Sequence, residues 1–283
     1  MVVSMRSLVF KRKKYYNEIV HERKREMTLD VLLSAMNLKD YHYIDSLYIT
    51  GNCVIINQCE REFKDVFQEN GRRIAYVETK ERGLSKSRNM AIRMATSDIC
   101  ILCDNDVEYT AEYENIILKA YEEHPEYDVI LFHVKSDIDQ LPHYKTERSL
   151  NYITSLKGKS YEITFRRKKV EGIKFDERIG AGTIYGQGEE NAFLYACLRK
   201  GLKLYYIPTE IASLRYEEST WKTGFDKTFF ISRGASYEAM SHRLSTLLII
   251  QYAVRKYKLY YRETGFWNAF RYMIQGKRLY KND

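Results

Sequence analysis

The chain has 283 residues, enough to bury a large core in one main domain with an appendage. With 45% apolar residues, 30% charged residues and only 3 Pro, long disordered linkers are excluded. A membrane-crossing helix needs roughly 20 apolar residues, and the longest apolar candidate, LLII at 247–250, falls far short of that.

The net charge of +8 is unevenly placed. Beyond His242 the chain carries Arg243, Arg255, Lys256, Lys258, Arg262, Arg271, Lys277, Arg278 and Lys281 against only Glu263 and Asp283, which suggests an anionic surface or partner there. Five Cys is an odd count without the density of a disulfide scaffold, and residues 1–26, dominated by Lys, Arg and Tyr, do not read as a cleavable signal peptide. The expected location is the cytoplasm, with peripheral contact at the inner face of the plasma membrane left open by the basic tail. Cys100 and Cys103 form a C-x-x-C, but on a strand residues three apart point to opposite faces, so core packing is expected.

Residues 1–27 form a basic leader. TLDVLLSAMN (28–37) reads as a first strand ending in Ser34 and Asn37, CVIINQCE (53–60) as a second and RRIAYVET (72–79) as a third. GLSKSRNMAIRMA (83–95) has helical spacing with Ser85 as an N-cap candidate, and the buried strand DICILC follows, ending abruptly in Asp104, Asn105 and Asp106. EYENIILKAYEEHP (112–125) is an amphipathic helix and YDVILFHV (127–134) another buried strand, an alternation that predicts a parallel, doubly wound sheet. After a polar, less regular middle (135–180) come the turn GAGTIYGQGEE, a helix with Gly201 at its C′ position and the strand LYYIP (204–208). From about Ser241 the chain reads as helices rich in Tyr, Arg and Lys.

Three features carry chemistry. A D-x-D is a weak pattern and occurs twice: Asp104 and Asp106 abut a buried strand, where open α/β sheets bind ligands, whereas Asp137 and Asp139 stand in an expected loop. Paired acids there suit Mn²⁺ or Mg²⁺ holding a nucleoside diphosphate; two solvated turn acids are the alternative. ERGLSKSRN combines the turn-forming Gly83 with a helix start whose N–H groups favour anions, and with Arg82, Lys86 and Arg88; it is neither a Walker loop nor a G-x-G-x-x-G, and a solvated basic helix start is its plain reading. Glu189 and Glu190 open a helix, either as ordinary helix-dipole partners or as a general base for a sugar hydroxyl.

In this order, DVLLSAMN, VIINQCE, ERGLSKSRN, DICILCDNDVEY, GQGEENAFLYACLRKGLKLYYIP and EESTW resemble glycosyltransferase family 2, inverting enzymes of the GT-A fold, over about residues 28–225. The likeness is closest to bacterial members that build surface polysaccharides or glycosylate surface proteins. It implies an α/β GT-A type doubly wound mixed sheet flanked by helices over 28–240, with a C-terminal helical extension over 241–283. It also implies Asp106 as direct metal ligand with Asp104 nearer the ribose or the metal's water shell, and Ser34, Asn37, Asn57, Arg82, Ser85 and Arg88 around the nucleotide. Glu189 and Glu190 fall on the family's Glu-Asp pair, with Glu190 as base, although the longer Glu is a departure. Asn57 and Gln58 stand where many members have an acid for the base; an amide still hydrogen-bonds uracil, and a UDP-sugar is the expected donor.

The segment EESTW, with Glu218 and Trp221, is assigned to the acceptor side or a loop over the donor. The acceptor is expected to be a glycan, glycoprotein or lipid-linked sugar. The aromatic, basic tail fits either an anionic membrane or a homodimer. The competing class is a non-catalytic basic module binding membrane or nucleic acid on the same scaffold, and a sugar nucleotidyltransferase is a third class, without the glycine-rich N-terminal loop it would need.

Overall fold

A computed structural model describes residues 26–136, 143–215 and 224–283. The leader up to residue 25, Asp137 and Asp139, and the segment holding Glu218 and Trp221 lie outside the described residues.

The strands are β1 (Leu29–Met36), β2 (Asn52–Gln58), β3 (Phe63–Glu69), β4 (Arg72–Thr79), β5 (Ile99–Asp104), β6 (Val107–Tyr109), β7 (Val129–Lys135), β8 (Arg148–Leu150), β9 (Ile163–Arg166) and β10 (Leu204–Leu214). The helices are α1 (Leu84–Met94), α2 (Tyr113–Glu123), α3 (Glu189–Arg199), α4 (Lys227–Met240), α5 (Ser245–Arg255), α6 (Tyr257–Tyr260) and α7 (Phe266–Asn282). One sheet runs β3-β4-β2-β1-β5-β9-β7-β10-β6, with β8 paired to β10. Its core strands β4, β2, β1, β5, β7 and β10 point one way, while β3, β9, β6 and β8 oppose them.

The sheet is therefore mixed rather than parallel throughout. β9 supplies the antiparallel element at its centre: ITFR, inside the stretch read as irregular, is buried between β5 and β7. β3 carries no buried apolar run to mark it, because FKDVFQE is a charged, exposed edge strand; Asn70 and Gly71, both at positive φ, form the tight turn that returns it to β4.

Alternate residues of the central strands feed two core layers. Val31, Leu33, Ile55, Ile101 and Cys103 face one side; Leu32, Val54, Ile56, Cys100 and Leu102 face the other. Cys100 and Cys103 thus belong to different layers, and all five Cys are free and buried. A third cluster joins α4, α5 and α7 to α3 and the glycine-rich turn, through Phe230, Met240, Ile249, Met273, Tyr195 and Tyr185. There α4 and α7 cross backbone on backbone. A Cβ on Gly234 would overlap the Met273 carbonyl, and one on Gly276 the Ile231 carbonyl.

The register aligns the C-terminal strand ends. Ser34 pairs with Ile56 on one side and Asp104 on the other, so the switch point of the sheet lies between β1 and β5.

Candidate active site

Asp104 is the last residue of β5, and a tight turn through Asn105 carries the chain to Asp106 and back into β6. The turn is gripped from both sides. The Tyr43 hydroxyl donates to the Asn105 carbonyl at 2.8 Å, and the Arg215 amide donates to the Asp106 carbonyl at 2.7 Å. Arg215 is itself fixed, donating through Nε to Glu108 at 2.8 Å and through Nη2 to the Ser46 carbonyl at 2.7 Å.

Arg88 lies at the centre, 1% exposed on α1. Its Nη2 donates to Asp104 Oδ1 and its Nη1 to Glu189 Oε1, each at 2.9 Å. Burial acts to lower its pKa, but the charges of Asp104 and Glu189 outweigh that effect and raise it above the ordinary value. The other Asp104 oxygen accepts from Ser160 Oγ at 2.9 Å, a contact with no signal in the sequence because Ser160 reaches the site only through the fold.

Glu190 follows Glu189 in the first turn of α3. Its pKa is raised from 4.5 to about 7, first by burial and then by the charge of Glu189, with Arg88 and Arg233 opposing. Asn191 Nδ2 donates to its Oε1 at 2.7 Å. The turn that delivers this acid pair is braced by α4: Arg233 Nη2 donates to Gln187 Oε1 at 2.6 Å, Gln187 Nε2 donates to the Phe229 carbonyl at 2.8 Å, and Ser236 Oγ donates to the Gln187 carbonyl. Gly188, at φ 91°, admits this approach, since a Cβ there would lie 2.6 Å from Ser236 Oγ.

The other residues singled out in the sequence divide into two groups. Ser34 sits at the strand ends, its Oγ accepting from Ser87 Oγ at 2.7 Å, and Asn37 is exposed in left-handed backbone at φ 53° just beyond. Asn57, by contrast, is fully buried: its Oδ1 accepts from the Leu38 amide at 2.9 Å and its Nδ2 donates to the Leu38 carbonyl at 3.0 Å and to the Tyr76 hydroxyl at 3.1 Å. Its amide holds the loop after β1. Gln58 donates likewise to the carbonyls of Glu81 and Gly83.

Arg82 wraps onto the carbonyls of Cys59, Thr79 and Lys80 and pairs with Glu60. Ser85 is not the N-cap. Gly83 occupies that position, and Ser85 Oγ, buried in the first turn, donates to the Ile179 carbonyl at 2.6 Å, tying α1 to the glycine-rich turn.

The donor set can be tested against a divalent cation. Among the described residues no three His, Cys, Asp or Glu side chains gather into a protein-built metal site. Two carboxylates at a strand end are what Mg²⁺ or Mn²⁺ takes from a protein when phosphate and water complete the shell, so Asp104 and Asp106 fit such an ion in company with a diphosphate.

The family model for glycosyl transferase family 2 matches residues 15–187, and the chain belongs to that family. It is a glycosyltransferase, and its sheet is of the GT-A type. The match ends just before Glu189. Solved structures of S. aureus TarS share the fold: TarS 1–349 in complex with UDP-GlcNAc superposes with a TM-score of 0.62 at 13% identity, covering 88% of this chain and 81% of that one. TarS 1–349 in complex with UDP gives a TM-score of 0.55 at 14% identity, over 85% and 74% of the two chains. No curated protein matches the sequence.

Proposed function

We propose that this glycosyltransferase moves a sugar from a UDP-linked donor to a hydroxyl of a glycan or glycoprotein acceptor, by a single displacement that inverts the anomeric carbon. The observation that carries the reading is the Arg88 bridge. One buried cation anchors both the carboxylate that ends β5 and the first acid of α3, so the donor end and the proton-accepting end of the site share one fixed point.

Glu190 is the general base in this reading. A carboxylate with a pKa near 7 is matched to taking a proton from an attacking hydroxyl at neutral pH. Glu189 positions Arg88 and, by its charge, keeps Glu190 basic. Asp106, with Asp104 beside it, would hold Mn²⁺ or Mg²⁺, which when bound neutralises charge on the departing diphosphate. Arg88 has both terminal nitrogens on carboxylates and serves as a positioning residue rather than a phosphate ligand. Ser34 near the end of β1 and the exposed Asn37 would flank the nucleoside, with Asn57 holding the loop that follows β1. The choice of UDP is supported by the shared fold of TarS, whose complexes contain UDP and UDP-GlcNAc.

The test is a thermal-shift titration with UDP, GDP, CDP and dTDP, each with and without Mn²⁺, on the parent chain and on Asp106→Ala. Stabilisation by UDP that requires both Mn²⁺ and Asp106 is the expected outcome. Equal stabilisation of the variant, or of both proteins without metal, would remove Asp106 from the donor site.

A further inference from the structure

The outward face of α5 has no covering element among the described residues. Leu244, Leu247, Ile250 and Val254 recur at spacings of three and four, which places them on one side of the helix, opposite the buried Leu248, Ile249 and Ala253. Leu247 and Val254 are 61% and 60% exposed. The surface continues through Tyr257, Leu259 and Tyr261, all exposed, and the Phe266 ring, 6.1 Å from Tyr257, links it to Trp267, which is 73% exposed. Isolated surface apolar residues need no explanation, but a continuous strip of this size marks an interaction surface.

Its charge is predominantly positive. Arg243, Arg255, Lys258 and Arg262 are exposed beside the strip, and none pairs with a carboxylate among the described residues. The nearby acids are already engaged: Glu263 accepts from the Phe225 amide at 2.6 Å, and the buried Glu238 takes Lys277 and Lys281.

We infer that this face docks on an anionic lipid surface, with the aliphatic strip at the acyl boundary, Tyr and Trp at headgroup level and the four bases on lipid phosphates. A second copy of the chain fits less well, because a two-fold contact would set the four bases against one another with Glu263 as the one exposed acid of residues 243–267. Nucleic acid would use the bases but leave the aliphatic side chains without a partner. No helix among the described residues is long and apolar enough to cross a membrane, so the contact is one of lying on the surface. It goes beyond the proposed reaction and does not depend on it.

The experiment is co-sedimentation of the full chain with vesicles of phosphatidylcholine alone and mixed with phosphatidylglycerol, at low and high salt. Parallel light scattering reads the mass, and the UDP-induced thermal shift reads the donor site. The mixed vesicles are expected to retain the chain and the neutral ones to release it, with salt weakening the binding. Arg255→Glu/Lys258→Glu should lower partitioning about fivefold or more for each base replaced. Leu247→Ser/Val254→Ser should release the protein while leaving melting and the UDP response unchanged. The proposal is overturned if both variants sediment like the parent. It is also overturned if light scattering shows a dimer that Leu247→Ser/Val254→Ser dissociates while vesicles bind neither protein. Failure of UDP to shift melting, with vesicle binding intact, would count against the donor reading alone.

Discussion

Arg88 Nη1 donates to Glu189 Oε1 at 2.9 Å across 101 positions of sequence, and the other arm of the same guanidinium reaches Asp104. A planar fork can serve two carboxylates at once, whereas an ammonium on a flexible stem cannot hold both in fixed directions. Arg88→Lys is therefore expected to fold but lose about a hundredfold in turnover, because both ends of the site drift from their shared anchor. Arg88→Met leaves the buried Glu189 and the partly exposed Asp104 without their shared partner and should cost about 3 kcal/mol of stability. Melting curves beside steady-state rates separate the two outcomes; an Arg88→Lys enzyme as active as the parent would show that the bridge is merely structural.

Glu190 gives a prediction in pH. Between pH 4.5 and about 7 the folded chain holds a proton on Glu190 that the unfolded chain releases, so this group's contribution to stability is complete below 4.5 and is lost as pH rises through about 7. Glu190→Gln is uncharged throughout. It should match the parent's stability near pH 4 and exceed it by about 2 kcal/mol at pH 8. The same substitution should lower kcat about a thousandfold. For the parent, kcat/KM should rise with pH and level off above about 7. Denaturant titrations at the two pH values check the stability, and a pH profile the base; a flat profile from pH 6 to 8 would move the proton transfer elsewhere.

The long buried runs of β1, β2, β4 and β5 and the acids that end β5 were legible because burial on both faces leaves an apolar stretch that stops abruptly. β9 was not, since four residues carry no period and their burial comes from β5 and β7 on either side. Residue type at the site could be read but hydrogen-bond partners could not. Asn57 has the right group for a nucleobase and spends it on Leu38 and Tyr76, while Ser85 has the right group for an N-cap and spends it on Ile179. Ser160, 56 positions from Asp104, and the clamp of Arg233 and Ser236 on Gln187 depend on long-range packing that one-dimensional patterns do not encode.

The crossing of α4 and α7 predicts a defect at a distance. Gly234→Ala pushes a methyl into the Met273 carbonyl and forces the helices apart, at a cost of about 3 kcal/mol or more. Because α4 also carries Arg233 and Ser236, the acid pair should lose its brace, so activity is expected to fall further than the fraction unfolded at the assay temperature accounts for. Arg233→Met, which leaves the crossing intact, should reproduce the loss of activity with a smaller change in melting. Comparing the two variants below the melting transition decides whether the brace matters to turnover.

The end of α7 is locked to the strand of chain that leads into the glycine-rich turn. The Tyr280 hydroxyl donates to Asp176, Arg178 lies over the Tyr280 ring at 3.9 Å, and the Tyr185 hydroxyl donates to Asp283. Burial acts to raise the pKa of Asp176, but its hydrogen bonds from Arg178 and Tyr280 prevail and hold it below the ordinary 3.8. This group's contribution to stability is thus present above pH 3.8 and lost as pH falls through the depressed value. Tyr280→Phe removes one of the four donors to Asp176, the other three being the amide, Nε and Nη2 of Arg178, and should cost about 1–2 kcal/mol at neutral pH, a difference that shrinks in strong acid. The loosened turn delivers Glu190 less firmly, so kcat should fall while the UDP-dependent rise in melting temperature stays as in the parent. A Tyr280→Phe enzyme that keeps its kcat and loses its UDP response would place the lock on the donor side instead.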